Sequence, residues 1–432
     1  MRISTAQVYA SGLQAMHRSQ GELNKAGLQL STGKRILTPA DDPSGSTQSA
    51  ELRTVIGSIE QYQRNADLAR PRLQQEEWAV AGVSDQLQRV RELLLQGNNE
   101  SQTNETRRYM AHEIRLIRDG LYDVANTRDP NGEYLFGGTR SLDQPFAKDS
   151  AGKVTYVGAQ GEGSVREVAV TPYRRVAIGD NGATVFMDMR ENDGRVSADK
   201  LPGSLTVPPR GNLMIDKTEV SDPAIFQSGT NATDEFRIEF REEDDVLQYR
   251  VINVTQGDVT LDWAEGYDSR ANIVNKIEFA GRAVYLRGEP YLDPNDPDDP
   301  SKNDQIVSRP ARHVDLFATL ETIAAALEAG AGGTASRADL VNAVNKGIAD
   351  LDAAFEHLSN VRATIGARLQ VLDSQSDLNA DRVLNLDAAR SSLEDLDYAA
   401  AISKFKLEQV ALEAAQQSYV QVNRLTLFDY IR

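Results

Sequence analysis

The chain has 432 residues, a formal net charge of −17 and no cysteine. Its length allows two to four domains of roughly 100–200 residues each. The charge argues against nonspecific nucleic-acid or anionic-membrane binding, which needs a basic face, and the missing thiol excludes disulfides, thiol catalysis and thiolate metal sites.

The opening stretch MRISTAQVYASGLQAMHRSQ contains no apolar run of ~7–15 residues, so no cleavable secretory signal is expected. No apolar run anywhere reaches ~18 residues, so no transmembrane helix is expected. The first 36 residues carry a heptad-like seam at Tyr9, Leu13, Met16, Gln20, Leu23, Gly27 and Leu30. Its spacing alternates four and three, as helix–helix packing requires, and Gln20 and Gly27 weaken it.

The next stretch, LSTGKRILTPADDPSG (30–45), imitates a phosphate loop. Gly27 is one residue too far from Gly33, and Arg35 stands where a magnesium-holding hydroxyl belongs. It reads better as a joint between helices. Thr38-Pro39 ends one helix, because the residue before a proline avoids the helical region. Asp42-Pro43 starts another, as N-cap and first helical position.

From Leu52 to Leu94 the seam runs on, with Glu76 as its one acidic interruption. Pro71 lies inside it, and an interior proline costs ~3 kcal/mol or kinks the helix. The phase is kept on both sides, which predicts one long helix ended by Gly97-Asn98-Asn99. A third helix presents Met110, Ile114, Ile117, Leu121 and Val124 on one face.

Asp129-Pro130-Asn131-Gly132 signals a turn. From about 135 to 310, short alternating runs read as strands: VTYVG (154–158), REVAVTPYRRVAI (166–178), EFRIEF (235–240), VLQYRVINV (246–254) and RAVYLR (282–287). Helical periodicity returns in LFATLETIAAAL and then in a long seam through Val344, Ile348, Leu351, Phe355, Leu358, Ile365, Leu369, Leu372, Val383, Leu386 and Leu393. A last seam comprises Tyr398, Ile402, Phe405, Gln409, Leu412, Gln416 and Tyr419.

The two terminal seams match, each with five apolar residues and two interruptions. Burying one such side chain is worth roughly 1.5–3 kcal/mol, against ~1–2 kcal/mol of backbone entropy per ordered residue. The terminal helices are therefore expected to order fully only when other copies bury them; packing on their own chain is the alternative. The pattern predicts an α+β chain: a long antiparallel α-helical coiled-coil rod built from both chain ends, with an inserted β-rich outer region. The expected divisions are 1–45 with 394–432 as terminal coiled-coil helices forming an inner assembly domain, 46–190 with 313–393 as a helical rod with β-hairpins, and 191–312 as a β-rich outer domain.

No catalytic constellation emerges, so no enzyme is expected, nor any cofactor or metal site. His112-Glu113 begins a zincin-like string, but Leu116 stands where the second histidine must be. Gly82-Val83-Ser84-Asp85-Gln86 lacks the second glycine of a nucleophile elbow. The acidic loop 293–304 offers Asp293, Asn295, Asp296 and Asp298 but lacks the glycine and glutamate spacing of a calcium loop.

Four stretches, in order, carry a resemblance: LSTGKRILTPADDPSG, LQRVRELLLQGNNES (87–101), ANTRDPNGEYLFGGT (125–139) and LDAARSSLEDLDYAAAISKFKLEQVALEAAQQSYVQVNRLTLFDYIR (386–432). Together they resemble bacterial flagellins and their hook-associated relatives. The start Met-Arg-Ile-Ser-Thr, the ending Leu-Thr-Leu-Phe-Asp-Tyr and KNDQIVSRPARHVDLFATLETIAAAL resemble the family's hook–filament junction branch rather than its filament branch.

The resemblance implies a non-enzymatic structural subunit of the flagellum that adapts hook to filament, with filament-forming flagellin as the alternative. It implies packing through Tyr9, Leu13, Met16, Leu23, Leu30, Ile402, Phe405, Leu412 and Tyr419. Its implied partners are other copies in a ring, a neighbouring hook-associated protein, flagellin or a second junction protein, and an export chaperone and export apparatus. Neither nucleic acid nor membrane insertion is implied. The implied location is extracellular, on the flagellum, reached by type III export without a cleavable signal.

Overall fold

The computed structural model describes the backbone of residues 5–201, 211–330, 332 and 334–428, with side chains except at 5, 6, 8, 9, 334–336 and 422–428. The chain begins with helices α1 (Thr5–Thr32), α2 (Pro43–Gly97) and α3 (Asn104–Ala125). There follow β1 (Phe146–Lys148), β2 (Val154–Tyr156), β3 (Glu167–Thr171), β4 (Arg174–Ala177), α4 (Gly182–Phe186), β5 (Met189–Arg190), β6 (Val196–Leu201), β7 (Met214–Val220) and α5 (Pro223–Phe226). Next come β8 (Phe236–Glu243), β9 (Val246–Asn253), β10 (Asp258–Ala264), β11 (Asn275–Phe279), β12 (Arg282–Arg287), β13 (Gln305–Pro310) and β14 (His313–Val314). Helices α6 (Leu316–Ala329), α7 (Thr334–Glu394) and α8 (Tyr398–Phe428) complete it. Helical ends flank a central antiparallel β-rich region, as the α+β reading expected.

The predicted helix start is present. Asp42 caps α2 by accepting the Gly45 N–H at 2.9 Å, and Pro43 opens the first turn, where a missing N–H is no loss. The helix continues through Pro71 without a break. The predicted stop at Thr38-Pro39 is wrong by six residues: α1 ends at Thr32. Gly33 takes a left-handed conformation (φ +70°) and its N–H reaches back to the Gln29 carbonyl at 2.9 Å, which ends the helix before the proline can.

The chain forms two compact units. One draws its described residues from Met1–Ala66, Val170–Tyr173 and Asp373–Arg432, the other from Asp67–Ala169 and Arg174–Leu372. In the first unit α1 and α8 lie antiparallel. A methyl on Gly12 would sit 3.7 Å from the Tyr419 ring, and one on Gly27 would sit 3.8 Å from the Phe405 ring. The first half of α2 meets the last turns of α7 in the same sense, Arg53 pairing with Glu394 at 2.8 Å.

In the second unit the seam is enclosed. Leu73, Val80, Val83, Leu87, Val90 and Leu94 of α2 are buried, as are Leu351, Leu358 and Ile365 of α7. The two helices run antiparallel, with Arg91 facing Asp352 and Arg362 facing Glu77. Helix α3 packs Met110, Ile114 and Leu121 inward as predicted. Glu76, read from sequence as an interruption, is instead inside the seam and 1% exposed.

The five-stranded sheet has the order β10-β9-β8-β13-β6, and a three-stranded sheet the order β11-β12-β7. Alternation puts Phe236, Ile238 and Phe240 of β8 on one face, where they join Val251, Ile277, Phe279, Val284, Leu286 and Ile306 in a single apolar core. The run 166–178 is not one strand but the hairpin β3–β4, turned at Pro172-Tyr173, since a proline cannot donate to the ladder.

Candidate assembly surface

The joint 33–45 is held by the end of α7. The Arg35 N–H donates to the Glu394 carbonyl at 2.7 Å, and the Leu396 N–H donates to the Gly33 carbonyl at 2.9 Å. Lys34 Nζ lies 3.0 Å from Glu394 Oε2, and Arg35 Nη2 donates to the Leu393 carbonyl at 2.8 Å and to Asp42 Oδ2 at 3.1 Å. Both cations of the phosphate-loop lookalike are thus engaged by this chain's own acids.

The joint's carboxylates are tuned to stay charged. Asp41 accepts the Leu37 and Thr38 amides at 3.1 and 2.9 Å and pairs with Lys25 at 2.5 Å. The Lys25 contact, then the Thr38 amide, hold its carboxyl far below the usual range. Glu394 accepts from the Ser49 hydroxyl and faces Lys34 and Arg53. The Ser49 bond first, then Lys34, pull its carboxyl down to about 2. A methyl on Gly45 would lie 2.6 Å from Asp42 Oδ2 and 2.9 Å from Ile36 Cδ1, so those side chains would have to shift.

From the joint the α1–α8 pair extends in both chain directions. Of the nine residues expected to pack subunits, Met16, Leu23, Leu30, Phe405, Leu412 and Tyr419 are half-buried. Leu13 and Ile402 are 38% and 44% exposed. The structure brings Phe405 and Tyr419 against α1 at Gly27 and Gly12. Tyr9 lies in α1, with its side chain outside the described residues.

The seam reading missed a second apolar set. Leu28, Leu407, Val410 and Val420 are 58%, 67%, 63% and 50% exposed. The signal was there: Leu407 and Val410 are three residues apart on α8, off the seam, and a helix apolar on two faces has two partners to satisfy.

Among the described residues, no group of three or more His, Asp or Glu is placed to hold a metal ion. In the acidic loop Lys302 Nζ lies 2.6 Å from Asp296 and 3.3 Å from Asp299. No helix of the described residues is long and apolar enough to cross a membrane.

Two family models match these helical ends. Residues 3–141 match the bacterial flagellin N-terminal helical region and residues 348–431 the bacterial flagellin C-terminal helical region, together just over half of the chain. The chain belongs to the bacterial flagellin family. This family is one of structural flagellar proteins, and membership places the chain in the flagellum. The chain is 24% identical over 428 residues to flagellar hook-associated protein 3 of Escherichia coli (strain K12), covering 99% of each. To flagellar hook-associated protein 3 of Salmonella typhimurium (strain LT2) it is 24% identical over 433 residues, covering 100% of each.

Among solved structures, the flagellar junction protein FlgL from Legionella pneumophila matches with a TM-score of 0.66 at 26% identity, over 81% of this chain and 100% of that one. FlgL from Xanthomonas campestris matches with a TM-score of 0.65 at 26% identity, over 79% and 99%. Filament members of the family are similar as well. The flagellin of Aquifex pyrophilus is 33% identical over 27% of this chain and 23% of that one, and that of Clostridium tyrobutyricum 22% identical over 96% and 97%.

Proposed function

We propose that this flagellin-family chain is the structural subunit joining hook to filament. The observation that carries this is likeness to hook-associated protein 3 over the whole length, in sequence and again in fold. Its work is packing and not chemistry. Copies form a ring in which α1 and α8 make the inner layer, through Tyr9, Leu13, Met16, Leu23, Leu30, Ile402, Phe405, Leu412 and Tyr419 together with the exposed Leu28, Leu407 and Val410. In that assembly 1–45 and 394–432 form the inner domain, 46–190 and 313–393 the rod, and 191–312 the outer domain. A hook-associated protein adjoins the ring on one side, and flagellin or a second junction protein on the other. The chain reaches the cell exterior by the flagellar export apparatus, with a chaperone, and without a cleaved signal.

Deleting the gene and imaging cells and culture medium by electron microscopy tests this. Hooks without filaments, with filament subunits spilled into the medium, are expected. A second reading, filament flagellin, draws on the full-length likeness to the Clostridium tyrobutyricum protein. Filament loss with no spilled subunit would establish that reading in place of the first, and normal flagella would contradict both.

A further inference from the structure

The two-sheet β region has an apolar core of its own. Among the described residues, every member of that core and every side chain packed against it falls between 198 and 306, and none comes from a helix. The chain enters and leaves this region side by side. β5 pairs with β14, His313 opposite Arg190 and Val314 opposite Met189, in a ladder of two strands. Just beyond it the Glu191 N–H donates to the Arg312 carbonyl at 3.1 Å, and the Ala311 N–H to the Arg195 carbonyl at 2.9 Å. One narrow ribbon thus makes both covalent crossings.

Helix α7 holds the region through a polar face. Leu351 and Leu358 place one face of α7 in the enclosed seam. Asn342, Asn345, Lys346 and Asp350 bond instead to the β region. Asn342 accepts the Ile215 N–H at 2.7 Å and donates to the Leu213 carbonyl at 3.1 Å, and Asn345 donates to the Ile215 carbonyl at 3.0 Å. β7 is an edge strand, and these two amides supply bonds that a further strand would supply. Asp350 accepts the Asn192 N–H at 2.8 Å. Lys346 Nζ donates to Asp199 at 2.7 Å, to Glu191 at 3.2 Å and to Ser197 Oγ at 3.3 Å. A cavity of about 270 Å³, lined by Asp199, Lys200, Asp216, Asp339, Asn342 and Lys346, lies between α7 and strands β6 and β7. A polar space of that size admits water. Opening this seat exchanges protein bonds for water bonds, whereas opening either core exposes apolar surface.

We propose that residues 191–312 pivot as one body on the β5–β14 ribbon, leaving and retaking a seat of side-chain amides and charges on α7 while both apolar cores stay closed. The pivot rests on the division at 191 and 312 proposed above and needs nothing of the ring.

Hydrogen exchange of the full chain, read amide by amide, tests it against Lys346→Met, since Lys346 bonds neither the Asn192 nor the Ile215 N–H. In the native chain those two amides should be at least ~100-fold less protected than the amides of β8 and β9, because a local opening releases them. In Lys346→Met both should lose about a further tenfold together, with β8, β9 and α2 unchanged. Protection at the two seat amides equal to that of β8 and β9, or a loss at one of them alone, would overturn the pivot and leave the division standing. A loss spread alike over β8, β9 and α2 would overturn the division as well. Should Lys346→Met fail to fold, spin labels at Val259→Cys and Gln88→Cys decide, both positions being exposed in a chain without native cysteine. Two populations of label-to-label distance are expected, and a single narrow one would overturn the pivot.

Discussion

Along α2, Leu73, Val80 and Leu87 are closed off from water, whereas along α8 Ile402, Leu407 and Val410 stand in it. The difference separates the two compact units. The unit of 67–169 and 174–372 closes its helical seam and its two-sheet core on itself. In the unit of the chain ends, the described residues of the α1–α8 seam are half-buried at best, and a second apolar set is exposed. Covering one exposed Leu or Val is worth roughly 1.5–3 kcal/mol. A handful per subunit therefore matches the ~4–15 kcal/mol that association costs. On the proposed function, stability resides in one unit and association in the other, and substitutions in each should tell them apart.

The largest effect is expected in the enclosed unit. Phe236→Ala or Leu87→Ala removes a fully buried side chain and should cost about 3–5 kcal/mol in guanidinium unfolding. A cost no larger than that of Ile402→Ala would break the comparison. Next is Arg282, a guanidinium with 0% exposure that donates to the carbonyls of Ser308 at 3.1 Å, Asn231 at 2.6 Å and Asp234 at 2.8 Å. Arg282→Met leaves those carbonyls unpaired and should cost about 2–4 kcal/mol by the same unfolding assay. A variant as stable as the native chain would show that burying the charge offsets its bonds.

How much of this was legible follows the range of the interactions. The long helices, the Asp42-Pro43 start, the Gly97 end and the inward face of α3 were visible because periodicity and capping are local. Alternation found β8, β9 and β12. It missed β13, QIVSRP, where burial on both faces erases alternation and only its place between β8 and β6 explains the run. Arg282 and Glu76 read as ordinary charges on a strand and a helix, because the groups that enclose them lie far along the chain. At the assembly surface the seam was legible but its occupancy was not. The same heptad serves a partner in this chain or in another, and only the pairing of Gly12 with Tyr419 and Gly27 with Phe405 separates the two.

A smaller effect should come from the joint. Glu394 has a carboxyl pulled down on folding to about 2. A depressed carboxyl gives stability that is present above its ordinary value and lost as pH falls through the depressed one. Glu394→Gln should cost about 1–2 kcal/mol at pH 7 and only about 0.4 kcal/mol near pH 2, read as the melting difference from the native chain. A difference that does not shrink on acidification would show that the Ser49, Lys34 and Arg53 contacts do not act through charge.

The smallest effect on folding should come from the exposed set. Leu407→Ala or Val410→Ala should change monomer stability by about 0.5 kcal/mol or less. The same residues are where the two units part most sharply, since their loss is expected to disable assembly.

The most direct measurement is complementation of a strain deleted for this gene with the double variant Ile402→Asp and Leu407→Asp. Exported chain and filaments would be scored together. If the chain ends are the association unit, the variant is exported and keeps the native chain's resistance to unfolding, yet cells carry hooks without filaments. Filaments of normal number and length on cells making the double variant would contradict that claim.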